Sequence, residues 1–284
     1  MVHVLVDADQ PVGFHTLHWN GRNARGKQVS SGIYLYQIED GTFVDTRKML
    51  LIKQHLVASR QVVKRPMRTL FIGDIHGCAQ EFQRLLDVLN YHADRDRLFL
   101  VGDAFTKGPD PVGVWTLIQA TDARMVMGNH DAKLLELLMQ HHEGVSVDFI
   151  SLTKQHTIDE ILPISDAIMP WLEALPLWIE EDLFLLVHAG INPEKGFEGT
   201  SREEFLAIRT WPPTGDLYGA RWYDAYSADN KLIIYGHDAP GGLVYKRRKD
   251  RSPYVIGLDT GCVYGRQLSA YILEEDRIVQ VNKR

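Results

Sequence analysis

The chain has 284 residues, 45% hydrophobic and 24% charged, with a formal net charge of −6. This is the composition of an ordinary globular protein with one large domain, or one medium domain plus a small one. The acidic balance argues against a dedicated nucleic-acid binder, and the longest apolar runs, such as "LFLLV" at 183–187, are far too short to span a membrane.

The opening stretch, "MVHVLVDADQPVG", lacks the basic start and long apolar run of a signal peptide, so the expectation from the chain alone is a cytoplasmic protein. Up to about residue 60 the apolar pattern has period two. "HTLHW" and "IYLYQIE" alternate, "NGRNARG" separates them, and "EDGTF" turns into "TRKMLLIK", which predicts a small antiparallel β-module over residues 1–53. The segment "QHLVASRQVVKRP", 54–66, has no clear period and ends in proline, and reads as a linker to a larger domain at 67–284.

From Met67 the texture changes. The short apolar strands "TLFIG", "RLFLVG", "RMVMG", "LFLLVHAG", "KLIIYGH" and "YVIGLDTG" are joined at first by stretches such as "CAQEFQRLLDVLN" and "DAKLLELLMQHH", in which leucine recurs every three or four residues. Alternation of this kind predicts a layered α/β fold. The basic cluster "YKRRKDR" at 245–251 reads as a solvated loop able to attract a phosphorylated substrate. Cys78 and Cys262 are too few for a disulfide framework and read as reduced thiols, each following a glycine in a loop that carries chemistry.

Those loops share a grammar. Gly73-Asp74 and Gly102-Asp103 both read "GD", "GNHD" stands at 128–131, "HAG" at 188–190 and "GHD" at 236–238. Ligands of open α/β sheets bind where the carboxyl ends of strands converge, so these loops can meet at one site. Carboxylate, imidazole and carboxamide donors suit Mn, Fe, Zn, Co or Ni. Two such ions about 3.5 to 4 Å apart acidify a shared water, orient a substrate and stabilise both oxygens of an in-line displacement, as phosphate ester hydrolysis requires. No serine elbow, nucleophilic cysteine loop or Walker-type lysine loop competes. Of twelve histidines, His3, His15, His18, His55, His92, His141, His142 and His156 lie outside these motifs and keep an ordinary structural reading.

The ordered motifs "GDIHG", "GDAFTKGP", "GNHD", "HAG" and "GHD" resemble the calcineurin-like metallophosphoesterases, in the branch of phosphoprotein phosphatases and symmetrical bis(5'-nucleosyl)-tetraphosphatases. The resemblance covers residues 69 to about 274. It implies a β-sandwich flanked by helices, in four layers α/β/β/α, with a dinuclear centre that is most readily manganese. It also implies that Asp74 and His76 hold one ion, that Asp103 bridges, and that Asn129, His188 and His237 hold the other. His130 would protonate the leaving oxygen or steady the transition state, with attack by a metal-bridging hydroxide and no covalent phosphoenzyme. At the front of the chain, "GFHTLHWNGRNARGKQVSSGIYLYQIEDGTFVDTRKMLLIK" resembles the immunoglobulin-like modules related to the flagellar hook-capping protein and to type IX sorting domains. In that family a further strand comes first, which suggests an upstream part missing before Met1 and an exported protein as the alternative to a cytoplasmic one.

Two departures matter. Protein phosphatases of this branch usually read G-D-x-x-D-R-G, whereas Thr106 and Lys107 occupy the Asp and Arg places here. Lys107 keeps the charge without the fork of arginine, and the loss of the aspartate removes one way of orienting His130. The tetraphosphatases also lack that aspartate and carry an "LDTGC" loop like the one in "LDTGCVYGRQLSAYIL", but the stretch from 67 to 284 is shorter than those enzymes. A second phosphate-gripping arginine is expected at Arg209, with Arg221 as the other candidate. The leading expectation is a broad phosphomonoesterase or protein Ser/Thr phosphatase-like enzyme. The alternative is a symmetrical dinucleoside tetraphosphate hydrolase, and a remote one is a secretion-associated binding protein with a vestigial phosphatase domain. The substrate is thus a phosphoprotein, a phosphomonoester or a dinucleoside polyphosphate, with no nucleic acid or membrane as partner and no oligomeric state implied.

Overall fold

In the computed structural model, residues 4–8, 17–30, 32–40, 43–51, 67–145, 152–213, 217–226 and 231–284 are described. The chain divides into two compact units, Met1–Lys64 and Arg65–Arg284. The expected linker at 54–66 lies outside the described residues.

The first unit contains a hairpin of β1 (Gly32–Asp40) and β2 (Phe43–Leu51), paired antiparallel from Gly32↔Leu51 to Asp40↔Phe43. The "NGRNARG" stretch forms a tight turn because the Asn23 carboxamide oxygen accepts the N–H groups of Arg25 and Lys27. Trp19 packs edge-on against Tyr34, with ring centroids 5.1 Å apart. The strand expected at "HTLHW" is not found over Leu17–Trp19, and His15 and Thr16 lie outside the described residues. Alternation alone does not make a strand without a partner to hydrogen-bond.

The second unit holds, among the described residues, two five-stranded sheets. The first runs β12 (Arg277–Asn282), β11 (Gln267–Ile272), β3 (Arg68–Ile72), β4 (Asp96–Leu100), β5 (Arg124–Met125), with β3, β4 and β5 parallel. The second runs β6 (Trp178–Glu180), β7 (Phe184–Val187), β8 (Leu232–Tyr235), β10 (Pro253–Gly257), β9 (Val244–Arg247), with β7, β8 and β10 parallel. The basic cluster begins inside β9 rather than in a loop, and Lys246 and Arg247 pair with Asp224 and Asp276.

Side-chain alternation sorts the strands into layers. Phe71, Phe99 and Phe184 point between the sheets, where Phe71 meets Phe99 at 5.4 Å and Phe184 at 4.8 Å. Leu70, Ile72, Leu98 and Leu100 point the other way, against the leucine faces of α1 (Ala79–Leu89), α2 (Pro111–Thr121) and α3 (Asn129–His142), with α4 (Leu152–Ile161) and α5 (Ser165–Glu173) completing that layer. Leu185, Val187, Ile233 and Tyr235 face Phe205, Trp222 and Tyr223 beyond the second sheet. The expected four layers are therefore present. Truncating any one of the three inter-sheet phenylalanines to alanine costs about 3 to 5 kcal/mol.

Candidate metal centre

Six parallel strands end on one site. The loops after β3, β4, β5, β7, β8 and β10 carry Asp74 and His76, Asp103, Asn129 and His130, His188, His237, and Asp259 in that order. Apolar strands running into small residues bring the loops close. A Cβ on Gly236 would lie 2.1 Å from Asp74 Oδ1, and one on Gly128 would lie 2.2 Å from Asp103 Oδ1, so only glycine fits at either place. Helix α3 starts two residues earlier than its leucine period suggests, which places Asn129 and His130 in its first turn rather than in a loop.

Two groups of donor atoms share Asp103. His76, Asp103 and His130 bring their ligand atoms within 4.8 Å of one another, and so do Asp103, His188 and His237. The Asp103 oxygens lie 3.6 Å from His76 Nε2 and 3.6 Å from His188 Nε2. Asn129 Oδ1 lies 3.0 Å from His188 Nε2 and 2.9 Å from His237 Nδ1. Asp74 belongs to neither group; both its oxygens accept the backbone N–H of His237, each at 3.1 Å.

The ring protons can be assigned from their partners. The carbonyl of Val101, 2.8 Å from His188 Nδ1, can only accept, so Nδ1 carries the proton and Nε2 presents a lone pair to the site. The Lys107 ammonium, 3.1 Å from His76 Nε2, can only donate, so the proton of that ring sits on Nδ1, where Thr106 Oγ1 lies 3.4 Å away. Thr106 thus serves His76. Lone pairs of His188 and a carboxamide oxygen facing each other at 3.0 Å repel unless a cation lies between them, so the donor set fits divalent metal. On the first group the lysine ammonium already stands as a cation against His76.

Burial sets the charge states. It pushes Asp103 up to about 7, reinforced by the charge of Asp259 and countered by the His130 N–H and Lys107. Asp74 rises well above the usual carboxylate range through burial and the charges of Asp259 and Asp103. His188 is driven down to about 4 by burial, and burial also lowers His76 and His237 well below the ordinary imidazole value. The centre is a buried cluster of neutral imidazoles and of carboxyls reluctant to ionise without a cation.

Of the two arginines, Arg209 donates from Nη2 to the His237 carbonyl at 3.1 Å, and its charge acts on Asp103, His188 and His237. Arg221 is buried in an ion pair with Asp238 at 2.7 Å, a brace beneath the His237 loop. His130 stands edge-on to His76, ring centroids 5.1 Å apart, and its backbone N–H donates to Asp103 Oδ1 at 2.9 Å.

Two carboxylates matter more than their motifs suggest. Asp131 is fully buried and accepts from the N–H groups of Asp103 (2.6 Å), Ala104 (3.1 Å) and Gly128 (3.2 Å), so it holds the Asp103 loop. Asp259 is buried beside the centre, and its Oδ1 accepts the Gly261 N–H at 3.0 Å. Its signal was available: "LDTG" closes an apolar strand just as the "GD" loops do. Cys78 and Cys262 meet as free buried thiols, within 4.8 Å of each other and of Glu81.

Two sheets whose parallel strands all end on one buried cluster of carboxylates and imidazoles define a metal-dependent phosphoester hydrolase. Sequence comparison agrees: the profile of the calcineurin-like phosphoesterases matches residues 67–274, and the chain belongs to that family, whose members use a dinuclear divalent metal centre. The chain is 34% identical to a protein of Edwardsiella ictaluri, with 77% of this chain and 97% of the relative aligned, and 30% identical to one of Nitrosomonas europaea, with 76% and 98% aligned. Both relatives are named symmetrical bis(5'-nucleosyl)-tetraphosphatase. A crystal structure provisionally assigned as a diadenosine tetraphosphatase superposes with a TM-score of 0.61 at 28% identity, covering 78% of this chain and 95% of that one.

Proposed function

We propose that the protein hydrolyses symmetrical dinucleoside tetraphosphates, cleaving the central bridging oxygen to give two nucleoside diphosphates. The observation that carries this reading is the "LDTGC" loop, whose Asp259 lies buried beside the centre, together with the missing aspartate at Thr106, the two features in which the chain resembles the tetraphosphatase branch. The named relatives, matched over nearly their whole length, support it. The broad phosphomonoesterase stands as a second reading because the catalytic unit is short. The Nitrosomonas alignment runs over 273 positions yet takes in 76% of this chain, so that relative carries several tens of residues with no counterpart here. A vestigial domain is the poorest reading, since His76, Asp103, His188 and His237 join the two groups, Asn129 Oδ1 lies within 3.0 Å of His188 and His237, and Asp74 lies against the His237 backbone.

In this reading Asp74, His76 and Asp103 hold one ion, and Asp103, Asn129, His188 and His237 hold the other, with manganese first and Fe, Zn, Co or Ni also suited to the donor set. When bound, the ions acidify water and neutralise charge on the phosphoryl oxygens. Lys107 and Arg209 bind the phosphate chain from two sides of the centre. His130, beside both Asp103 and His76, protonates the leaving oxygen. Asp131 and the Val101 carbonyl keep Asp103 and His188 aimed. The test is steady-state hydrolysis of diadenosine tetraphosphate, p-nitrophenyl phosphate and a phosphothreonine peptide by manganese-loaded protein. The dinucleotide is expected to lead by orders of magnitude in kcat/KM, with ADP as the product; similar modest rates on all three would return the protein to the general phosphatase reading.

A further inference from the structure

An open groove of about 480 Å³ adjoins the Asp259 loop, with Thr260 in its wall. Its floor is a cross-strand carboxamide ladder. Gln267 opposes Asn282 and Ser269 opposes Gln280 in the β11–β12 register, so the period of two puts all four side chains on one face. Gln267 Nε2 donates to Asn282 Oδ1 at 2.9 Å, and Gln280 Nε2 donates to Ser269 Oγ at 2.9 Å. Those bonds fix the carboxamides and leave the Gln267 and Gln280 oxygens and the Asn282 amino group to face a ligand.

The rest of the lining is equally selective. Leu243, 41% exposed, supplies an apolar wall. Arg266 lines the groove, its chain packed over Gly261 and its Nη1 donating to the Ala239 carbonyl, two residues beyond His237. No acidic residue lines the groove, although the protein carries a net charge of −6. A neutral heterocycle with donor and acceptor edges, tethered to an anionic chain that passes a guanidinium toward metal, has the chemistry that matches. A carboxamide with a donor and an acceptor reads the N6 and N7 edge of adenine in this way.

We propose that this groove is the nucleoside subsite: the base lies on the Leu243 side with its edge on Gln267, Gln280 and Asn282, and Arg266 takes the phosphate nearest the ribose. The proposal rests on the dinucleoside reading above and goes beyond it by assigning residues to base recognition. The opposite nucleoside is held by the phosphate chain alone in this scheme, so one base per substrate carries the specificity.

The experiment uses the full chain loaded with manganese. Calorimetric binding of ADP and of inorganic diphosphate is measured for the wild type, the Gln267→Ala/Gln280→Ala double variant, and Leu243→Glu. Hydrolysis of diadenosine tetraphosphate and p-nitrophenyl phosphate is followed in parallel. The expected result is an ADP affinity weakened about tenfold in both variants, with diphosphate binding unchanged. The kcat/KM for the dinucleotide falls by the same factor, and p-nitrophenyl phosphate turnover, which also reports folding, stays level. Equal ADP affinity in wild type and variants, or ADP and diphosphate weakening together, overturns the subsite. A wild type with no preference for the dinucleotide overturns the tetraphosphatase reading instead, and the ADP result then decides the subsite on its own.

Discussion

The two units use the same strand chemistry to different ends. In the hairpin of the first unit Leu35 is 65% exposed and Ile38 and Val44 are each 55% exposed, so its alternating apolar residues line no core of their own among the described residues. In the second unit the same alternation sends Phe71 to one layer and Leu70 and Ile72 to another, all fully buried. A two-stranded sheet is marginal on its own, whereas two stacked sheets sheathed by helices can stiffen the loops at their ends. Chemistry that needs donors held to fractions of an ångström belongs on the second kind of scaffold.

That contrast breaks most visibly at Asp103, the residue common to the two donor groups. Asp103→Ala is expected to lower kcat/KM by about a thousandfold or more while the circular dichroism spectrum and unfolding midpoint stay near wild type. Retained turnover would show that the cluster is scaffold and not machinery. Next in size is a scaffold bond. Arg68 grips Asp96 with two nitrogens, at 2.6 and 2.9 Å, joining β3 to β4 beneath the site. Burial raises the Asp96 carboxyl, but the bonds from Arg68 and the His92 N–H outweigh it and hold the group below the ordinary range. A depressed carboxylate contributes stability above its unfolded value near pH 4 and loses it as pH falls further. Asp96→Asn should therefore cost about 3 kcal/mol at pH 7 in urea unfolding, with the gap from wild type closing in acid.

Smaller effects test the positioning groups. Asp131→Asn should weaken manganese binding about 10- to 100-fold in calorimetry with little change in the unfolding midpoint, because its backbone bonds aim the Asp103 loop. The pH dependence of that binding follows from Asp103, pushed up to about 7 by burial. A cation binds the carboxylate, so below pH 7 it must displace a proton, and affinity falls up to about tenfold per unit of pH. Above pH 7 it levels off. Stability of the metal-free chain is a poorer readout because signs oppose: raised acids such as Asp103 cost stability as pH climbs from about 4 to 7, while His188, held down near 4, adds stability up to its ordinary value near 6.5.

Much of the second unit was legible because its strands each end in a motif whose residue types have few other uses. The six strands before "GD", "GNHD", "HAG", "GHD" and "LDTG" were all found, and the expected donors on five of those loops converge. What escaped depends on contacts distant in sequence. Thr106 reads as a lost carboxylate until the structure shows His76 across from it. Asp131 sits inside a motif, yet its three backbone partners span residues 103 to 128. Strands β6, β9, β11 and β12 have no chemical punctuation, and their place at or near the sheet edges is set by pairing alone.

The smallest expected effect is none. The second unit buries its own layers, and the relatives are matched over 97% and 98% of their length by a portion of this chain that leaves about a quarter of it over. Removing residues 1–64 should then leave kcat/KM within about twofold and the unfolding midpoint of the remaining unit within error, since the three core clusters among the described residues are built from Leu70 onward. A drop of several degrees, or a fall in dinucleotide turnover without one in p-nitrophenyl phosphate turnover, would mean that the exposed apolar side chains of the hairpin cover something the catalytic unit needs, and the contrast between the two units would be one of partnership instead of independence.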